Sequence, residues 1–287
     1  MVEILKATRP FNLLLLFLTQ ILTSYFLGFG NTLADVFDKI HIAVYITTIL
    51  SCAFGYLYND FMDYKADALN RPDSNFSANP ERLKSLLIFS IFCALVSIVY
   101  AFATVYRLGV FITLVISLLF FYSVLLKRLP IIGNLLVAVL GAFSILILVA
   151  FDANINQELV LIFSINAFGM HFLREMIKDT EDMEGDEVAG YKTFPLLAGL
   201  KTTRIFLIVS LFLYIMVFTT CVRLMMMRYF SAPLSYTFLA YNVLCIGLPL
   251  FHLLSKLQLA TDKNDFNYMS KVALYIMVTG TLSMLFF

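Results

Sequence analysis

Apolar run length is the strongest constraint on what this chain can fold into. Stretches of eighteen or more predominantly apolar residues recur along its 287 residues, long enough for a helix to cross the hydrocarbon core of a bilayer. Backbone in lipid must satisfy every N–H and C=O internally, so only helices and closed barrels span a membrane. A barrel would alternate apolar and polar residues in segments of about ten, and no such alternation occurs. The chain is therefore read as an all-α integral membrane protein. Nine transmembrane spans can be drawn, at roughly 11–29, 41–58, 83–106, 108–126, 131–151, 157–177, 204–222, 233–256 and 268–287. No polar block between them is long enough to fold separately, so residues 1–287 are read as a single polytopic domain. Composition agrees, with 61% apolar and 14% charged residues against about 25% charged in a typical soluble domain. Arg107 alone separates the third and fourth spans, and Pro249 is expected to kink the eighth.

Lysine and arginine set the orientation. Sixteen of the twenty lie in or beside the connections 1–10, 59–82, 127–130, 174–203 and 257–267. Lys39, Arg107, Arg223 and Arg228 are the four on the opposite side. The positive-inside rule then puts the N-terminus inside, with those connections in the cytoplasm. Lys6 and Arg9 precede the first apolar run without a small-residue cleavage site after it, so that run is read as an uncleaved span. A net charge of +1 gives no reason to expect a nucleic-acid partner. Cys52, Cys93, Cys221 and Cys245 form no Cys-x-x-Cys pair and are read as small buried apolar residues.

One acidic pattern occurs twice. Asp60, Asp63 and Asp67 follow the spacing Asp-x-x-Asp-x-x-x-Asp, and Asp179, Asp182 and Asp186 repeat it; together they use six of the twelve aspartates. Offsets of three and four put each triad on one face of a helix. At the abundance of aspartate here, two such triples arise by chance in about one chain in several thousand. One triad would be ordinary where a helix leaves the membrane. Two, each leaving a span on the same expected side with four spans between them, point to function and to an internal pseudo-repeat. Converging carboxylates raise each other's pKa unless cations neutralise them. Hard oxygen ligands without His or Cys suit Mg²⁺ or Ca²⁺, and Mg²⁺ is commonly held by one or two carboxylates plus phosphate oxygens. Two such clusters suit a diphosphate, with Lys127, Arg71, Lys178 and Arg174 available for its remaining anionic oxygens. Asn59, beside Asp60, is read as a metal or diphosphate contact, and Asn12 and Asn134 as polar residues near membrane depth. His171 is read as an interior histidine and Arg128 as a membrane-surface anchor.

Asn59-Asp60-x-x-Asp63-x-x-x-Asp67-x-x-Asn70-Arg71-Pro72 resembles the first signature of the UbiA superfamily of intramembrane prenyltransferases. Arg174-Glu175-x-x-Lys178-Asp179-x-Glu181-Asp182-x-Glu184-Gly185-Asp186, followed by Gly190-Tyr191-Lys192-Thr193-x-Pro195, resembles the second. Tyr122-Ser123-x-x-Leu126-Lys127-Arg128 is similar to the family's Tyr/Lys segment, and Arg9-Pro10-x-Asn12 to the opening of its first helix. Within the superfamily the second string is most similar to the geranylgeranylglycerol-phosphate geranylgeranyltransferase branch and its bacterial relatives. After Arg71-Pro72 the chain departs from the family pattern, reading Asp73-Ser74-Asn75-Phe76-Ser77-Ala78.

The resemblance implies nine helices around a central cavity, capped by cytoplasmic loops that carry the triads. It implies Mg²⁺ at Asp60, Asp63, Asp67, Asp179, Asp182 and Asp186. The reaction implied is transfer of a geranylgeranyl-type group from an isoprenoid diphosphate to a membrane-associated acceptor, a prenylated glycerol phosphate. Asp63, Asp182, Lys127 and Tyr122 are the expected catalytic residues; Asn59, Arg71, Lys178, Arg174 and Asn12 are the expected substrate contacts. The expected partners are donor, acceptor and membrane lipid, without an obligate protein partner. An aromatic, quinone-precursor acceptor is the alternative. A membrane transporter is the alternative of another class, but it would spread acids through the span interiors, which are nearly free of them. A CDP-alcohol phosphotransferase would need one contiguous Asp-x-x-Asp-Gly-x-x-Ala-Arg motif, which neither triad supplies.

Overall fold

The computed structural model describes residues 2–70 and 80–287, and among them there is no β-strand beyond an isolated bridge between Gly28 and Ile155. The helices are α1 (Val2–Ala7), α2 (Pro10–Phe26), α3 (Leu33–Val36), α4 (Lys39–Met62), α5 (Tyr64–Asn70), α6 (Pro80–Thr104) and α7 (Tyr106–Val124). After a 3₁₀ turn at Leu126–Arg128 come α8 (Ile132–Val149), α9 (Gln157–Glu181), α10 (Met183–Val188), α11 (Phe194–Tyr229), α12 (Leu234–Asn242), α13 (Leu248–Leu259) and α14 (Lys263–Leu282). Among the described residues eight helical segments are long and apolar enough to cross a membrane, and α2, at 17 residues, is a shorter apolar helix at the first expected span. The chain is an integral multi-pass membrane protein of helices.

The chain divides into two compact units. The first is Met1–Ile21, Thr32–Gly133 and Glu184–Thr193; the second is Leu22–Asn31, Asn134–Met183 and Phe194–Phe287. In the first, α4 packs against α6 and α7, and those two pack on each other. Small hydroxyl residues join α4 to α6: Ser97 Oγ donates to the Thr47 carbonyl at 2.8 Å and lies 3.1 Å from Ser51 Oγ. Thr48 likewise donates to Gln20 Oε1 at 3.0 Å. Such bonds between membrane helices contribute about 0.6 kcal/mol each, so they fix register more than they hold the unit together. Phe92, Leu95 and Val99 on α6 stay exposed, a surface suited to lipid tails.

The third and fourth spans meet at a residue other than the expected one. Arg107 lies inside α7, and the break is Val105, extended at φ −145° and ψ 123°. Gly109 makes the turn possible, since a Cβ there would run into the Phe102 ring.

In the second unit α9 packs against α11 and α14, and α13 against the same two. Gly199, at φ 77° and ψ 159°, breaks α11 near its start. The expected irregularity at Pro249 takes the form of a π-helical turn, Val243–Gly247, immediately before it. Proline cannot donate to the carbonyl four residues back, here that of Cys245. Thr279 Oγ1 takes up that carbonyl at 3.2 Å, the usual way a membrane helix re-satisfies a group freed by proline. The four cysteines are free.

Candidate active site

Each acidic triad begins inside a long helix and leaves it at its middle aspartate. Asp63 is the C-cap of α4, at φ −93° and ψ 7°, and Asp182 is the C-cap of α9, at φ −94° and ψ 8°. A short helix follows in each case, α5 and α10. The expectation of a triad on one face of a continuous helix is thereby corrected, because the helix bends at the central carboxylate. The bend keeps backbone bonding intact, from Asp63 N to Asn59 O at 2.8 Å and from Asp67 N to Asp63 O at 2.9 Å. Near-identical dihedrals at the two middle aspartates make the sequence repeat a local structural repeat.

In the first unit, Asp63 is the centre of a dense polar cluster. Its Oδ1 accepts from Lys127 Nζ and from the Tyr191 hydroxyl, the latter at 2.6 Å. Its Oδ2 accepts from Asn59 Nδ2 at 2.7 Å, and Lys127 Nζ also donates to Asn59 Oδ1 at 3.2 Å. Lys127 and Asp63 are 7% and 14% exposed at their side chains, so this is a largely desolvated ion pair. Burial pushes the Lys127 ammonium below its ordinary value, and the Asp63 charge opposes that shift. Burial together with the Asp63 carboxylate pushes the Tyr191 phenol up, so it remains a donor at neutral pH.

Local backbone explains the placement of Lys127 and Tyr191. A Cβ at Gly133 would sit 2.8 Å from the Lys127 Cα, so only glycine lets α8 start so close to the 3₁₀ turn. Ile131, between the two, is held at φ 67°, a left-handed conformation that costs a β-branched residue about 1–3 kcal/mol. On the other strand of the cluster, α10 ends in a Schellman motif. Gly190 at φ 73° donates its N–H to Glu187 O at 3.0 Å, and Tyr191 N donates to Asp186 O at 2.9 Å. Lys192 N then donates to Arg128 O at 3.2 Å, while the Tyr191 ring lies under Lys127 Nζ and the Arg128 guanidinium, 5.5 and 5.3 Å from its centroid.

Asp60 has its own cation. Arg9, another non-glycine residue at positive φ (53°), donates to Asp60 Oδ1 at 2.9 Å and stacks 4.6 Å over the Tyr56 ring. Asn12 donates to the Tyr56 hydroxyl at 3.3 Å, so it supports the ring on which Arg9 rests. Asp67 lies in α5, half-buried, and its charge reaches Lys127. Tyr122 is in the last turn of α7; the tyrosine whose hydroxyl meets Asp63 is Tyr191. Arg71 lies outside the described residues.

In the second unit, Asn134 Nδ2 donates to Asp179 Oδ2 at 2.8 Å. Lys178 pairs with Glu181 at 3.1 Å and with Asp182 at 3.5 Å, and Asn267 donates to the other Glu181 oxygen at 2.8 Å. Arg174 lies 3.3 Å from Glu175, and its Nε is buried without a hydrogen-bond partner among the described residues. His171 packs its ring on the backbone of α8 at Gly141, where a Cβ would collide with it. Asp186 falls in the stretch that belongs to the first unit.

Three residues here lay outside the expected site. Tyr191 and Arg9 stood in motif strings but had no role in them, and Glu181 was signalled by its spacing of three from Lys178 on one helix. The donor set suits Mg²⁺. It is all hard oxygen, and among the described residues no group of three or more His, Cys, Asp or Glu side chains converges into a protein-only cage. Carboxylates held by lysine and arginine, each oxygen with two lone pairs, match a metal that arrives with phosphate oxygens and needs one or two protein ligands.

The chain is similar to known proteins over most of its length. The digeranylgeranylglyceryl phosphate synthase of Thermococcus kodakarensis is 34% identical over 69% of this chain and 69% of its own. A structure solved in work on digeranylgeranylglyceryl phosphate synthase in membranes shares the fold, with a TM-score of 0.66 at 20% identity over 98% of this chain and 97% of its own. A UbiA homolog from Archaeoglobus fulgidus bound to GPP and Mg²⁺ superposes with a TM-score of 0.62 at 14% identity, over 98% of this chain and 99% of its own. The model of the UbiA prenyltransferase family matches residues 17–277. With that match covering nearly the whole chain, this protein belongs to the UbiA prenyltransferase family.

Proposed function

We propose that this prenyltransferase moves a geranylgeranyl-type group from its diphosphate to the hydroxyl of a prenylated glycerol phosphate, with Mg²⁺ as cofactor. The observation that carries the reading is the repeated architecture: Asp63 and Asp182 cap their spans identically, and each is paired with a lysine, Lys127 and Lys178. The relatives named digeranylgeranylglyceryl phosphate synthase support the acceptor. Asp60, Asp63, Asp67, Asp179, Asp182 and Asp186 supply carboxylates for the metal, and the fold neighbour bound to GPP and Mg²⁺ supports that choice. We further propose nine membrane helices with the N-terminus and the aspartate motifs on the cytoplasmic side, residues 1–287 acting as one prenyltransferase domain, and no obligate protein partner.

Bound Mg²⁺ supplies charge neutralisation of the leaving diphosphate. Lys127 adds a positive charge that a desolvated site makes effective, and Asn59 orients it. Lys178, Arg174 and Arg71 bind further anionic oxygens, and Asn12 steadies Tyr56 beneath Arg9. As the allylic C–O bond breaks, its electron pair leaves with the diphosphate. The acceptor oxygen then forms the new C–O bond and gives up its proton to the medium or the leaving group. Tyr122, on the last turn of α7, completes the set of proposed catalytic residues.

The test is to incubate membranes containing the chain with a panel of prenyl diphosphates and acceptors and identify products by mass spectrometry. A doubly prenylated glycerol phosphate, lost in Asp63→Ala and Asp182→Ala and on chelation, is expected. Turnover independent of Mg²⁺ would refute the mechanism. Turnover confined to aromatic acids would keep the donor chemistry and overturn the acceptor.

A further inference from the structure

We infer that Tyr191 is a positioning residue for Asp63, the donor that keeps this carboxylate aimed while its cation is exchanged. The inference rests on the Mg²⁺ reading proposed above. In the metal-free cluster Asp63 Oδ1 is shared by Lys127 Nζ and the Tyr191 hydroxyl, and Oδ2 is held by Asn59. A metal ion approaching Oδ1 must displace a donor, because Lys127 and Tyr191 already take both of its lone pairs. Lys127 is the one that electrostatics selects: two cations on one carboxylate oxygen repel, and the lysine, on a flexible four-carbon stem, can follow the diphosphate instead. The neutral phenol carries no such penalty and can stay hydrogen-bonded to a metal-bound carboxylate, as outer-shell donors commonly do.

The structure fits Tyr191 to that task. Its backbone is fixed by the Schellman motif at Gly190 and by the adjoining bond from Lys192 N to Arg128 O. Its ring is pinned beneath Lys127 and Arg128. Tyr191 is thus tied down independently of the bond it makes to Asp63. The same motif draws on the Asp186 carbonyl, so the end of the second aspartate string is tied through one residue to the centre of the first.

The experiment uses Tyr191→Phe in the full-length protein in detergent, which removes the hydroxyl and keeps the ring. With an unreactive thiolo-diphosphate analogue of the donor present, Mg²⁺ is titrated and thermal stabilisation is read, independently of turnover. The half-effect concentration of Mg²⁺ is expected to rise about tenfold, the usual scale for losing an outer-shell partner. The melting temperature without metal serves as the folding control, and Tyr191→Leu, which removes the ring as well, is expected to shift the Mg²⁺ response at least as far. A Mg²⁺ response within twofold of the parent protein in Tyr191→Phe would overturn the inference. A parent protein that does not respond to Mg²⁺ at all would overturn the proposed function, and this inference with it.

Discussion

Replacing Lys127 by methionine tests whether the Lys127–Asp63 pair is the energetic centre of the first unit. At hydrogen-bond separation and an effective dielectric near 20, the attraction is about 5 kcal/mol, most of it offset by desolvation of both groups. Removing one partner leaves the other charged and buried, which costs about 3–5 kcal/mol. Asp63 keeps the donors Asn59 and Tyr191 and is 14% exposed, so Lys127→Met is expected at the lower end, about 3 kcal/mol. Asp63→Asn is expected to cost less, about 2 kcal/mol, because burial already lowers the Lys127 pKa and the lone amine can shed its proton. The double variant leaves no buried charge, so the cycle should show a coupling of about 2 kcal/mol. The assay is reversible denaturant unfolding in mixed micelles for all four proteins. Additive costs, with coupling under about 0.5 kcal/mol, would refute the claim that the two groups are stabilised through each other.

Two further outcomes follow from single contacts. Gly141→Ala places a methyl against the His171 ring and should cost about 1–3 kcal/mol; His171→Ala in the same chain should remove most of that penalty in the same unfolding assay. Asp38 caps α4, accepting from His41 N at 2.7 Å and pairing with His41 Nδ1 at 2.9 Å. Partial burial pushes its carboxyl up, but the bonds from His41 outweigh this and hold it below the usual 3.8. Its stabilisation is therefore present above that pH and lost as pH falls through the lower folded value. Asp38→Ala should cost about 1 kcal/mol at pH 7, and the gap between the two proteins' melting temperatures should close in acid below about pH 4.

Eight of the nine expected spans were legible from composition and run length because bilayer thickness acts on each segment alone. The aspartate triads were legible for a similar reason, since offsets of three and four are local helical geometry. What those offsets could not show is that α4 and α9 end at Asp63 and Asp182. Helix termination depends on what can hold the carboxylate at the cap, and for Asp63 those partners include Lys127 and Tyr191, 64 and 128 residues away. Arg9, 51 residues from Asp60, is the same case. Pro249 announced an irregularity, yet its π-helical form depends on Thr279, 34 residues beyond Cys245, ready to take the Cys245 carbonyl. Likewise, the turn between the third and fourth spans settled on Val105 because Gly109 lets the Phe102 ring lie against the helix.

By itself, then, the sequence determined that the chain is helical, membrane-embedded and carries one aspartate spacing twice, since each of these is a property of neighbouring residues. Only the tertiary structure decided which cation serves which carboxylate and which tyrosine completes the cluster. In a desolvated setting a charge must find its partner wherever the fold brings one, and that choice has no fixed spacing along the chain.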